Sequence, residues 1–364
     1  MSQDSPNPQA ADVIDRAGAV RSGEELPIDA LDGYLKAQIP ELRGSPEVTQ
    51  YSGGASNWTY RLAYDSHDLI LRRPPAGTKA RGAHDMGREY RLQTALAPRF
   101  PYIATQYLHC EDEAVIGAEF YVMDRIQGII PRRHLPRGVD LDPLQARQLN
   151  DNFLDTLVAL HGVDYREAGL ESMYKGAGYA RRQIEGWNAR YEKARTWNVP
   201  RARAVRRWLE AHIPEDAGAC VIHNDYRLDN VVLDAQDPTR LIGVLDWELA
   251  TIGCPMMDLG NTMAYWIQAD DDGFLRKMSR QPSYLPGMRS RREMVAAYCE
   301  RTGRDLKAWP IYEVYGLFRL AVILQQIYYR YHHKQTDNPA FKNFWLMVHY
   351  LVFRAKRIIA RSGI

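Results

Sequence analysis

The chain has 364 residues, 45% of them apolar, which suffices for a substantial buried core in one large domain or two. Lysine and arginine number 47 against 45 aspartate and glutamate, and the net charge of +2 excludes any global electrostatic case for binding nucleic acid or a membrane surface. The four cysteines, Cys110, Cys220, Cys254 and Cys299, form no C-x-x-C pair, so reduced, buried thiols are expected rather than a zinc site or a disulfide framework.

Residues 1–27 are polar, rich in Ser, Pro, Gln, Asp and Gly, and carry neither a basic leader nor an apolar core. They read as a mobile or loosely docked arm without chemistry. The longest apolar runs, such as Phe344 to Val348, fall far short of the roughly 20 residues of a membrane span, so no membrane partner and a cytoplasmic location are expected.

A short helix is predicted through IDALDGYLKAQI, then strands in EVTQYS, NWTYRLAY and DLILRR, with Gly53 and Gly54 turning the first hairpin. HDMGREYRLQTALA is helical in pattern, and ATQYLHC and AEFYVMDRI complete a small, mostly antiparallel sheet. From about Leu141 helices dominate, interrupted by the short strands ACVIHND, NVVLD and LIGVLDW. The expected organisation is an arm (1–27), a β-rich lobe (28–125) and a larger helical lobe (126–364).

The strongest chemical signal is HNDYRLDN, where His223, Asp225 and Asn230 fit H-x-D-x-x-x-x-N, followed by Asp246 at 246 − 225 = 21 residues on. Phosphoryl transfer needs a carboxylate beside the attacking hydroxyl, and an amide oxygen with a second carboxylate for the magnesium that neutralises the phosphates. These residues supply that set. The competing reading is a plain polar turn, weakened by the apolar strands on both sides and the β-rich segment before it.

With this loop the chain resembles the aminoglycoside phosphotransferase and choline kinase-like family, over nearly all of its length after residue 28. The resemblance implies an α+β, protein kinase-like two-lobed fold and use of ATP and Mg2+. It implies Asp225 as catalytic base, Asn230 and Asp246 as metal ligands, Trp247 beside Asp246 in the place of the kinase Asp-Phe-Gly segment, and His223 as a structural residue. Asp258 in GCPMMDLGN reads as a helix cap and brace.

The upstream segments agree with lower specificity. In YSGGASNWTYRL, Ser52, Gly53, Gly54 and Ser56 could approach nucleotide phosphates, though a simple hairpin turn explains them equally well. The family's strand lysine, paired with a helix glutamate, is matched here by Arg72 and Glu89. Arginine keeps the charge, but its wider head alters the grip on phosphate. Met123 to Arg125 would form the hinge against adenine.

Residues 274–334 hold twelve Lys or Arg against four Asp or Glu, which favours an anionic small-molecule acceptor over a polycationic one. Solvated helix faces account for such charges equally well. The runs LRRPPAG, HDMGREYRLQTAL and FYVMDRIQG resemble the branch found beside or fused to acyl-CoA dehydrogenases, which implies a functional link to acyl-CoA metabolism and a hydroxyacyl-CoA as acceptor. The alternatives are another alcohol, such as choline or an aminoglycoside, or a non-catalytic nucleotide-binding protein. A protein kinase finds little support, since no A-P-E segment follows Asp246.

Overall fold

The computed structural model describes residues 13–51, 57–75 and 85–364. Its contacts group the chain into two units, Met1–Leu141 with Asp229–Glu248, and Asp142–Leu228 with Leu249–Ile364. A single cut after residue 125 therefore does not describe the grouping. The eight-residue loop motif itself is divided, Asp225 falling in the second unit and Asn230 in the first.

The first unit is built on α1 (Ile28–Gln38) and five antiparallel strands, β1 (Glu47–Gln50), β2 (Trp58–Ala63), β3 (Asp68–Arg73), β4 (Gln106–Cys110) and β5 (Phe120–Asp124), in the order β1-β2-β3-β5-β4. Helix α2 (Met86–Leu96) falls between β3 and β4 in the chain, and Asp85 caps it by accepting from the Arg88 amide. Central β5 is buried on both faces, so its sequence FYVMD reads as a continuous apolar run. Phe120 and Val122 pack with Leu31 and Leu35 of α1, whereas Tyr121 and Met123 pack with Met86 of α2.

Residues 13–27 are docked on this unit rather than free. Gly18 bridges Gln50, the Tyr60 hydroxyl donates to the Glu24 carbonyl at 2.6 Å, and Leu26 is buried in the α1 cluster. The later segment adds the antiparallel pair β7 (Val231–Leu233) and β8 (Leu241–Val244), tied in by the Ile129–Leu233 bridge and the Val244 amide on the Tyr102 carbonyl.

The second unit is helical: α3 (Pro143–Gly162), α4 (Tyr179–Ala194), α5 (Arg203–Ala211), α6 (Pro255–Tyr265), α7 (Gly273–Lys277), α8 (Arg291–Thr302), α9 (Trp309–His332) and α10 (Phe344–Ser362). Capping boxes start α3 at Asp142 and α8 at Ser290, and Gly303 ends α8 at φ 66°. Its two short strands, β6 (Cys220–Ile222) and β9 (Thr251–Gly253), pair with each other.

Helices α6 and α9 cross through glycine: a Cβ at Gly316 would lie 2.1 Å from the Gly260 carbonyl oxygen, and one at Gly260 would lie 2.5 Å from the Tyr312 carbonyl oxygen. Only hydrogen at both positions permits that backbone approach. No helix among the described residues is long and apolar enough to cross a membrane.

Candidate active site

The first unit encloses a cavity of about 250 Å³ whose described lining comes entirely from that unit. Its lining combines apolar Ile70, Ala104, Met123, Ile126 and Val244 with Arg72, Asn230 and Asp246. Strand β3 delivers Arg72 to the cavity because its side chains alternate and Leu69 and Leu71 must face the α1 core.

Arg72 is nearly buried, with Nη1 2.6 Å from Glu89 Oε1 on α2 and Nη2 3.4 Å from Asp246 Oδ1. The Tyr121 hydroxyl donates to the same Glu89 oxygen at 2.8 Å. Burial works against the arginine's charge, but the neighbouring Glu89 and Asp246 hold the guanidinium well above its ordinary value. Two buried atoms of the cluster, Arg72 Nε and Glu89 Oε2, have no hydrogen-bond partner among the described residues. Among those residues the cluster thus has unfilled hydrogen-bonding capacity beside the cavity.

Asp246 adopts φ 64°, a left-handed conformation uncommon for a non-glycine residue and found disproportionately at functional positions. Trp247 anchors the turn: it is buried, donates through Nε1 to the Val244 carbonyl at 2.9 Å and meets Phe100 edge-on. Asn230 is held through its carbonyl, which accepts from the Leu245 amide at 2.8 Å. An amide oxygen and a carboxylate are hard oxygen donors of the kind a magnesium ion shares with substrate phosphates.

At the expected hinge, the Asp124 and Arg125 amides donate to the carbonyls of Thr105 and Asp68, both at 2.8 Å. The Arg125 side chain braces Asp68 at 2.8 Å. Ser52, Gly53, Gly54 and Ser56 lie outside the described residues.

In the second unit the loop is held by Asp258. Its carboxylate accepts from the His223 amide at 2.9 Å, the Asn224 amide at 2.7 Å and His161 Nε2 at 3.1 Å. With that proton on Nε2, His161 Nδ1 accepts from the Tyr298 hydroxyl at 2.6 Å. Burial would push the Asp258 carboxyl up, but the His161 hydrogen bond and the nearby imidazoles hold it below the usual value. Asp258 braces the loop but does not cap its helix, whose N-cap is Cys254. His223 Nδ1 in turn accepts from the Asp225 amide at 3.3 Å.

Two residues that sequence reasoning did not single out complete this loop. Asn224 is left-handed at φ 65°. Its side chain donates to the Leu249 carbonyl at 3.0 Å and accepts from Asn261 at 3.1 Å and Tyr179 at 3.3 Å, while its carbonyl accepts from Arg319 at 3.0 Å. Asparagine tolerates this conformation better than most residues, the only local hint in the sequence. Arg227 lies 3.2 Å from the Asp225 carboxylate and stacks over Tyr265 at 4.7 Å. Its position two residues after Asp225 in the motif could have marked it.

Much of the basic excess in 274–334 is structural. Of its twelve Lys or Arg, Arg289, Arg291 and Arg301 pair with Asp151, Asp271 and Asp155, and Arg304 and Arg319 bond the carbonyls of Ala217 and Asn224.

This fold and loop define a kinase-like phosphotransferase, and comparison with known proteins agrees. Residues 47–294 match the phosphotransferase enzyme family, and the chain belongs to it, a class of small-molecule phosphotransferases acting on hydroxyl groups. Acyl-CoA dehydrogenase family member 11 of Mus musculus is 33% identical over 88% of this chain and 42% of its own length. Family member 10 of the same species is 32% identical over 85% of the chain and 29% of its length. The chain thus spans less than half of these relatives. A solved structure from Ralstonia eutropha, classed with the aminoglycoside phosphotransferases, has a TM-score of 0.77 and 31% identity over 92% of this chain and 99% of that one. A complex of aminoglycoside phosphotransferase APH(4)-Ia with AMP-PNP and hygromycin B, at TM-score 0.56 and 14% identity over 92% of this chain and 98% of that one, shares the fold.

Proposed function

We propose that this chain transfers the γ-phosphoryl group of ATP to a hydroxyl of a small anionic molecule, with a hydroxyacyl-CoA as the acceptor class. The observation that carries the nucleotide part is a cavity whose lining joins apolar residues suited to a base with Arg72, Asn230 and Asp246. Asn230 and Asp246 would hold Mg2+, which when bound neutralises phosphate charge. Arg72, already charged and partly unsatisfied, grips phosphate oxygens.

Asp225 orients the acceptor hydroxyl and takes its proton as the new O–P bond forms and the bond from the γ-phosphorus to the β,γ-bridging oxygen breaks, releasing ADP. Asn224 and Asp258 fix the backbone from which Asp225 projects, and Arg227 steadies its carboxylate. The CoA assignment is supported by the names of the relatives and only weakly by the basic stretch, given how many of its arginines are engaged. A cytoplasmic location accords with four buried, unpaired cysteines.

Mass spectrometry of the purified protein with ATP, Mg2+ and a panel of hydroxyacyl-CoAs, choline and aminoglycosides tests this reading, with Asp225→Ala as control. A hydroxyacyl-CoA gaining one phosphoryl group only with intact Asp225 is expected. Turnover of choline or an aminoglycoside alone overturns the acceptor class. ATP binding without any phosphorylation would favour a non-catalytic nucleotide-binding protein.

A further inference from the structure

We propose that the segment preceding α1 is a wall of the nucleotide pocket and that Asp15 accepts hydrogen bonds from the ribose hydroxyls; this rests on the nucleotide reading above. The segment is fastened at two places. The Gly18 and Gln50 amides exchange hydrogen bonds with each other's carbonyls at 2.9 Å. Three residues upstream, the Asp15 amide donates to the Gly128 carbonyl at 3.3 Å, and the Asp15 carbonyl accepts from the Arg125 side chain at 2.8 Å. These bonds place Asp15 on the hinge, where its side chain lines the cavity.

In a nucleotide the sugar lies between base and phosphates, so a base against the Ile70, Ala104, Met123 and Ile126 group would set it between that group and Arg72. Its two neighbouring hydroxyls are donors that need acceptors once shielded from water. Of the five carboxylates in the cavity's described lining, Asp124 and, through the Arg125 bond, Asp15 lie at the end of β5, and Asp124 already accepts from the Tyr107 hydroxyl at 3.0 Å. Asp15 is held by Arg132 Nη2, at 3.1 Å and 3.3 Å from its two oxygens. A carboxylate offers about four lone-pair sites, so this pairing fixes its direction while leaving acceptor capacity. The floor beneath cannot retreat, since a Cβ at Gly128 would lie 2.2 Å from the Leu233 carbonyl oxygen.

Titration calorimetry of the full chain with ADP, 2′-deoxyADP and 3′-deoxyADP, each with Mg2+, tests the assignment. Asp15→Asn should weaken ADP roughly tenfold or more, the range of a hydrogen bond to a charged group, and weaken the matching deoxy analogue far less. Gly18→Pro removes the amide that fastens the segment and leaves every pocket side chain unchanged; it should also erase the discrimination between ADP and the deoxy analogues. Equal losses for ADP and both analogues, or no loss in Asp15→Asn, would overturn the assignment. Failure of the unaltered chain to bind ADP would sink the nucleotide reading and this one together.

Discussion

Asp246 in the first unit and Asn224 in the second sit in the same left-handed backbone region, at φ 64° and 65°, yet they are held in opposite ways. The Asp246 side chain is 35% exposed and meets Arg72, whose cluster keeps two buried atoms without a hydrogen bond among the described residues. Asn224 is bonded through its amide, its carbonyl and both ends of its side chain. A cluster left partly unsatisfied is ready for a charged ligand. A satisfied loop is rigid before any ligand arrives, which is what aligning a hydroxyl for attack demands.

The largest effect that would break this contrast lies at Arg72. Arg72→Met leaves Glu89 buried and uncompensated, and should lower stability by about 3–5 kcal/mol in denaturant titration. Arg72→Lys should lose markedly less. Equal losses would mean that charge contributes little there.

At Asn224 the expectation concerns turnover. Asn224→Ala forces an alanine into left-handed backbone and should cut kcat on the order of a hundredfold while nucleotide Kd barely moves. Asn224→Gly restores the backbone freedom without the side-chain bonds and should recover part of kcat. If glycine recovers nothing, the side-chain bonds and not the backbone set the geometry.

The crossing of α6 and α9 supports the same loop, since α6 carries Asp258 and Asn261 and α9 carries Arg319. Gly316→Ala should destabilise by about 1–3 kcal/mol as the helices are forced apart, read as a fall in Tm. The smallest effect is on pH dependence. Because the folded Asp258 carboxyl titrates below its ordinary value of 3.8, its stabilisation is complete above about pH 4 and is lost as pH falls through the lower folded value. In Asp258→Asn the slope of Tm against pH below about 4 should be shallower than in the unaltered chain.

Much of this architecture was legible in the sequence. Alternation in NWTYRLAY marked β2, which buries Tyr60 and Leu62 with the α1 cluster, and the apolar run of DLILRR marked β3. Most of the helices from α3 onward announced themselves by apolar periodicity and by caps such as Asp142 with Gln145, though five-residue α7 did not. Three-residue β9 is too short to show a period, and nothing local says that β6 pairs with it while β7 pairs with β8. Nor does the sequence separate the short 3-10 turn that Asn338 caps from α10, which begins at Phe344.

In the site, residue types were readable and their holders were not. Asp225, Asn230 and Asp246 stand out because their chemistry fixes their spacing. Asn224's partners come from Tyr179, Leu249, Asn261 and Arg319, scattered along the second unit, so only the fold reveals them. Between a mobile and a loosely docked arm the sequence of residues 13–27 did not choose, for a related reason: polar, Pro- and Gly-containing sequence looks disordered until its backbone finds an edge strand to bond.

The arginine on β3 also decides which chemical probes will see this protein. Acylating nucleotide reagents label their targets by forming an amide with a pocket amine, and the described lining of this cavity contains no lysine. A guanidinium stays protonated and unreactive toward such reagents under any condition in which the chain is folded. In a proteome surveyed through lysine labelling of nucleotide pockets, Arg72 would go unmarked, and so would the rest of the described lining, while a nucleotide still competes for the site.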